Sequence, residues 1–134
     1  MLNDETIAAL CEALQDEYKA QATYRCVIEA YGEIRPFINI VEAEGRHISA
    51  LLGLFDRYGL AAPEDDWETK VQAPASLKDA CGVAVQAEID NADMYDRLMV
   101  NVSEPDILNV FGNLQQASRD RHLPAFRRCA ERYG

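Results

Sequence analysis

Glu44 and His47 stand three residues apart in Val41-Glu42-Ala43-Glu44-Gly45-Arg46-His47. Phe37, Ile40, Val41, Ile48, Leu51 and Phe55 surround them at helical spacing, so both side chains share the face a helix would bury. A bundle core does not accept a carboxylate and an imidazole without partners. Glu17, Glu88 and His122 have the same placement, each within its own apolar helical stripe. One inward acid or imidazole on each of four stripes is the ligand supply of a metal site inside a four-helix bundle. Carboxylates suit an iron pair because they give anionic, bridging oxygens. Imidazoles complete the sphere and leave positions open for oxygen or peroxide. Taken singly, each residue has a plainer reading. A lone Glu-x-x-His is ordinarily a solvated pair, a lone Glu at a bundle edge reaches water, and a lone core His is usually hydrogen-bonded. The joint pattern carries the reading.

Four helices are needed to place these residues. The first is expected from an Asp4 cap to Tyr31, stopped by Gly32, with the seam Ile7, Leu10, Leu14, Glu17, Gln21, Tyr24, Ile28 and Tyr31. The second starts around Pro36 and ends near Tyr58 at Gly59. Ser76 caps the third, which runs to about Val100 with Leu77, Cys81, Ala84, Glu88, Asn91, Tyr95 and Leu98 inward. The fourth runs from Pro105 to about Tyr133, with Gln115, Ser118, His122 and Cys129 inward and Pro124 inside it. No strand-like alternation interrupts this all-α reading of residues 1–134 as a single domain.

Residues 59–75 form an unusually long connection. Extended, they span roughly 55 Å, more than the roughly 33 Å of a 22-residue helix. A crossover or a slack hairpin would both fit, with Trp67 as an anchor. The levels of the ligands set a further condition. Glu17 lies 14 residues before Tyr31, whereas Glu44 lies eight after Pro36. That offset of about 9 Å closes only if the loop after Gly32 descends alongside the first helix.

These residues resemble the ferritin-like superfamily, near its rubrerythrin and bacterioferritin type. The likeness is strongest to an uncharacterised bacterial branch with a shortened second helix and a segment like His122-Leu123-Pro124-Ala125-Phe126. It covers nearly the whole chain. It implies a ferritin-like four-helix bundle with a long crossover between helices two and three, a di-iron centre, and iron or peroxide redox chemistry. Carried over by position, Glu17 and Glu88 are the carboxylates of helices one and three. Glu44 is the bridging Glu, and His47 and His122 are the imidazoles of helices two and four. The rubredoxin-like four-cysteine module of full rubrerythrins is absent.

One position departs from the family pattern. Arg119 stands three residues before His122, where a Glu is expected. The site then holds two metals asymmetrically, one metal, or none, with Arg119 neutralising the buried carboxylates. Function divides accordingly. One reading is a small iron-dependent oxidoreductase or ferroxidase; the other is a non-catalytic ferritin-like bundle whose site has lost metal. Gln21, Tyr24, Asn91, Tyr95, Ser118 and Arg119 are expected around the ligands.

The net charge of -10 argues against nucleic acid or anionic lipid as a partner. No segment is long and apolar enough to span a membrane, and the first residues carry no signal-like run, so a cytoplasmic protein, in the simplest case a homodimer, is expected. Metal ion and oxygen or peroxide are the expected partners. The four cysteines, Cys11, Cys26, Cys81 and Cys129, contain no Cys-x-x-Cys pair and default to thiols in a reducing compartment. Cys81 and Cys129 lie two helical turns from Glu88 and His122, on their stripes; the short break makes helices three and four antiparallel, which puts both sulfurs at one end of the bundle as candidate redox thiols able to form a disulfide under oxidation.

Overall fold

A computed structural model describes residues 1–134 as an all-helical four-helix bundle without strands. Helix α1 spans Asp4–Tyr31, α2 Phe37–Arg57 and α3 Leu77–Met99. The fourth rod consists of α4 (Pro105–Ala117), a π-helical turn (Ser118–His122) and α5 (Leu123–Tyr133). Local chemistry fixes the ends. Asn3, one residue before the expected cap, accepts the Thr6 N–H at 2.8 Å. Ser76 accepts the Asp79 N–H at 3.0 Å. Gly59, at φ 66, closes α2: its N–H donates to Asp56 and that of Leu60 donates to Phe55, a Schellman closure.

Side-chain pairs give the helix directions. Glu12 meets Arg97 and Tyr24 meets Glu88, so α1 and α3 are antiparallel. Tyr24 packs against Phe37 with ring centroids 5.8 Å apart, and Glu17 faces His47, so α1 and α2 are antiparallel too. Helices α2 and α3 therefore run the same way, and the long connection is a crossover. It climbs beside α1. The Tyr18 hydroxyl donates to the Pro63 carbonyl, Trp67 Nε1 to Gln15 Oε1 at 2.7 Å, and the Tyr31 hydroxyl to the Pro74 carbonyl. Trp67 is the anchor, in a single 3-10 turn between Lys19 and Lys70.

The offset between Glu17 and Glu44 is closed as the levels require. Phe37 begins α2 beside Tyr24, so residues 25–31 of α1 overhang by about 10 Å and the loop folds back down. Two apolar clusters fill the bundle. One contains Leu10, Leu14, Leu51, Phe55, Ile107 and Phe111; the other contains Val27, Phe37, Ala84 and Phe126. The buried acids and imidazoles join neither cluster. No helix is long and apolar enough to cross a membrane.

Candidate metal centre

Glu17, Glu44, His47, Glu88 and His122 are all buried and converge from four rods. They form two triads, Glu17–Glu44–His47 and Glu44–Glu88–His122, whose potential donor atoms lie within 4.8 Å of one another. Glu44 belongs to both. His47 Nδ1 lies 3.3 Å from Glu17 Oε1 and 3.6 Å from Glu44 Oε2. His122 Nδ1 lies 3.2 Å from Glu88 Oε1 and 3.3 Å from Glu44 Oε1. The two imidazoles are nearly parallel, with centroids 5.4 Å apart. Each ring thus presents one nitrogen to two carboxylates, and a single N–H serves only one of them well.

Surrounding donors fix the outer carboxylates. The Tyr95 hydroxyl donates to Glu17 Oε2 and the Tyr24 hydroxyl to Glu88 Oε2, both at 2.5 Å. The pattern is reciprocal. Tyr24 follows Glu17 by seven residues in α1, and Tyr95 follows Glu88 by seven in α3, so antiparallel packing brings each hydroxyl to the other helix's acid. Burial, then the neighbouring carboxylates, push both phenols well above their ordinary value, so they stay neutral donors. Asn91 donates to Glu17 Oε2 at 3.2 Å and to Asp16 Oδ2 at 2.8 Å. Ser118 donates to Glu88 Oε1 at 2.7 Å. Only Glu44 Oε2 is left without a donor, an orphaned buried oxygen at the centre of the cluster.

Two expected neighbours stand elsewhere. Gln21 directs its amide against Gly45, where an added Cβ would lie 3.1 Å from Nε2, and makes no hydrogen bond to a candidate ligand. Arg119 corrects a larger expectation. It is half exposed and faces Asp96 at 3.7 Å, so it neutralises no buried carboxylate. The π-helical turn is the reason. The Leu123 N–H reaches back to Ser118 O, an i→i+5 closure, just before Pro124, which has no N–H for the Asp120 carbonyl. The widened turn keeps Ser118 over His122 and carries Arg119 round to solvent. Arg119→Glu should consequently leave metal stoichiometry unchanged and alter stability by no more than about 0.5 kcal/mol. Metal analysis and a thermal melt of the variant check this.

Asp16 is a neighbour that the stripe analysis did not single out, because it sits beside the α1 seam. Asn91 joins it to Glu17, and burial raises its pKa. A groove of about 300 Å³ between α1 and α3 has Asp16, Lys19, Thr23, Glu88 and Asn91 in its lining and so lies beside the site.

The cysteines also correct an expectation. Cys81 and Cys129 are bonded as a disulfide, with Cα atoms 5.7 Å apart, while Cys11 and Cys26 are free. Antiparallel packing of α3 on the fourth rod places the two sulfurs at one end, within disulfide reach.

A family model described as an uncharacterized protein domain, DUF2202, matches residues 9–134. The chain belongs to the DUF2202 family. No curated protein matches it. Two crystal structures share the fold of this DUF2202 chain. The hypothetical protein MJ0754 from Methanococcus jannaschii DSM 2661 aligns with TM-score 0.89 and 23% identity over 100% of this chain and 84% of that one. A conserved hypothetical protein, rv2844, from Mycobacterium tuberculosis aligns with TM-score 0.69 and 18% identity over 99% and 97%.

Proposed function

We propose that this DUF2202 chain is a ferritin-like metalloprotein that holds two iron ions and acts as a small oxidoreductase or ferroxidase. Glu17 and His47 would hold one ion, Glu88 and His122 the other, with Glu44 shared. The shared, orphaned Glu44 carboxylate carries this reading. It faces both imidazoles with one oxygen unsatisfied, a costly arrangement in a core unless a cation completes it. The donor set of three carboxylates and two imidazoles, with no thiolate, suits iron or manganese better than a soft metal. Bound iron would supply one-electron chemistry toward oxygen or peroxide.

The protein's own groups divide the remaining work. Tyr24, Tyr95, Asn91 and Ser118 hold the outer carboxylates in register, as neighbours of metal ligands do. The two flanking apolar clusters exclude water. The α1–α3 groove gives a small substrate or an arriving ion access beside Asp16 and Glu88. The last rod brings Ser118 rather than a fourth carboxylate to Glu88, so each half keeps two carboxylates and one imidazole, and an exogenous oxygen donor would complete the ligand set.

A metal-free bundle is the competing reading, and one observation favours it. Although burial opposes their charge, the facing carboxylates raise His47 to about 10 and His122 to about 9, so imidazolium ions alone can compensate the acids. Metal analysis separates the two. Protein loaded anaerobically with ferrous iron at pH 8 and desalted should retain about two ions per chain, as the di-iron ligand pattern requires. It should then oxidise them on addition of peroxide. Retention of no iron would leave the imidazolium network as the whole content of the site.

A further inference from the structure

The Cys81–Cys129 pair is built into the same two rods that carry Glu88 and His122. Each cysteine lies seven residues from its neighbouring candidate ligand, two turns or about 10 Å along the axis. Both sulfur-bearing residues are fully buried. They share one continuous apolar cluster with Tyr24, Phe37 and Phe126. Tyr24 spans the interval. Its ring packs 5.0 Å from that of Phe126, and its hydroxyl is bonded to Glu88 Oε2. The other two cysteines are partly exposed and outside this cluster.

We infer that Cys81 and Cys129 form a redox-active dithiol–disulfide pair, the two-electron store for peroxide reduction at the proposed centre. The inference rests on the metal reading given above. In the balanced step, two thiols and one hydrogen peroxide give one disulfide and two waters. The peroxide O–O bond breaks and the S–S bond forms. Two electrons pass from the sulfurs to the peroxide oxygens, and both thiol protons end on water. A bulk dithiol then restores the pair by thiol–disulfide exchange, itself becoming a disulfide. Its approach would be from the surface formed by α3 and α5. A shallow surface depression lined by Pro74, Lys78, Gly82, Val83 and Ala130 flanks the pair, and Gly82 and Ala130 directly follow the two cysteines in sequence. Nothing lies within 4 Å of the Cβ position at Gly82, so that surface is unobstructed beside Cys81 in sequence.

Thiol counting tests this. Native protein treated anaerobically with dithiothreitol should rise from two free thiols to all four without denaturant. A bond reducible only after unfolding would make it a structural cross-link and overturn the inference. The reduced protein, freed of reductant and loaded with ferrous iron, then receives one equivalent of hydrogen peroxide. Thiols should fall from four to two, with Cys81 joined to Cys129 by peptide mass, and at least tenfold faster than in metal-free protein. Ferrous iron is followed separately with a chromogenic chelator. Iron oxidised while four thiols persist would overturn the redox pair and leave the metal reading intact. Equal rates with and without iron would also overturn it, by showing direct thiol oxidation. If no ferrous iron is retained, both readings fall.

Discussion

Glu44→Ala should abolish metal retention in both halves of the site at once, taking about two ions per chain to none. Glu17→Ala and Glu88→Ala should each remove about one. The difference follows from the geometry. Glu17 faces only His47 and Glu88 only His122, whereas Glu44 presents Oε1 to His122 and Oε2 to His47. Losing an outer acid leaves the opposite triad complete. Losing the shared acid leaves each ion with one carboxylate and one imidazole, too few to hold a divalent cation in a desalted sample. A stability readout gives the same answer independently, because a ligand that binds only the folded state raises Tm. Iron-loaded wild type should melt above the metal-free form, and Glu44→Ala should melt at one temperature with or without iron. Two retained ions in Glu44→Ala, or an equal loss in all three variants, would show that the triads do not share this carboxylate.

Metal-free protein should lose stability as pH rises from about 5 to 10, while iron-loaded protein should not. Three buried groups set the direction. Burial and the Glu44 charge push Glu17 up to about 7; His47 and His122 are raised to about 10 and about 9 by the carboxylates they face, against the effect of burial. A group whose folded pKa lies above its unfolded value binds its proton more tightly when folded, so its contribution is full below the unfolded value and vanishes through the folded one. For Glu17 that window runs from about 4.5 to 7, and for the histidines from about 6.5 to 9 or 10. Glu44 works the other way. The proton on Glu17 and the two imidazoles hold it below the ordinary carboxylate value against burial, so its contribution is lost only in acid. Metal ions compete with the protons on Glu17, His47 and His122, so affinity should climb over the same alkaline range. The gap in Tm between iron-loaded and metal-free protein therefore widens between pH 6 and pH 9. Melts of both forms across that range check it, and a constant gap would mean that these ligands do not exchange protons for metal.

The four helices and their ends were legible in the sequence because they follow from local chemistry. Ser76 caps α3, Pro105 opens α4, and Gly32 and Gly59, both with positive φ, stop α1 and α2. The candidate ligands were legible for a related reason. A charged side chain within an apolar stripe violates the period of its own helix, and that violation needs no neighbour to be seen. Relations between helices were less accessible. The length of residues 59–75 alone allowed a hairpin as well as a crossover; the family resemblance implied the crossover, and the contacts of Pro63, Trp67 and Pro74 along α1 show it. The stripes and the short break after α3 already set Cys81 and Cys129 at one end of the bundle, and the structure decided that they are bonded. Arg119 is the sharpest case. Counted at α-helical spacing it shares a face with His122, but a π-helical turn that closes just before Pro124 sends it to Asp96 and leaves Ser118 on Glu88. Helix period is a property of consecutive residues and can be read from them. The reach of one helix to another, and a local change in that period, depend on packing that sequence spacing does not encode.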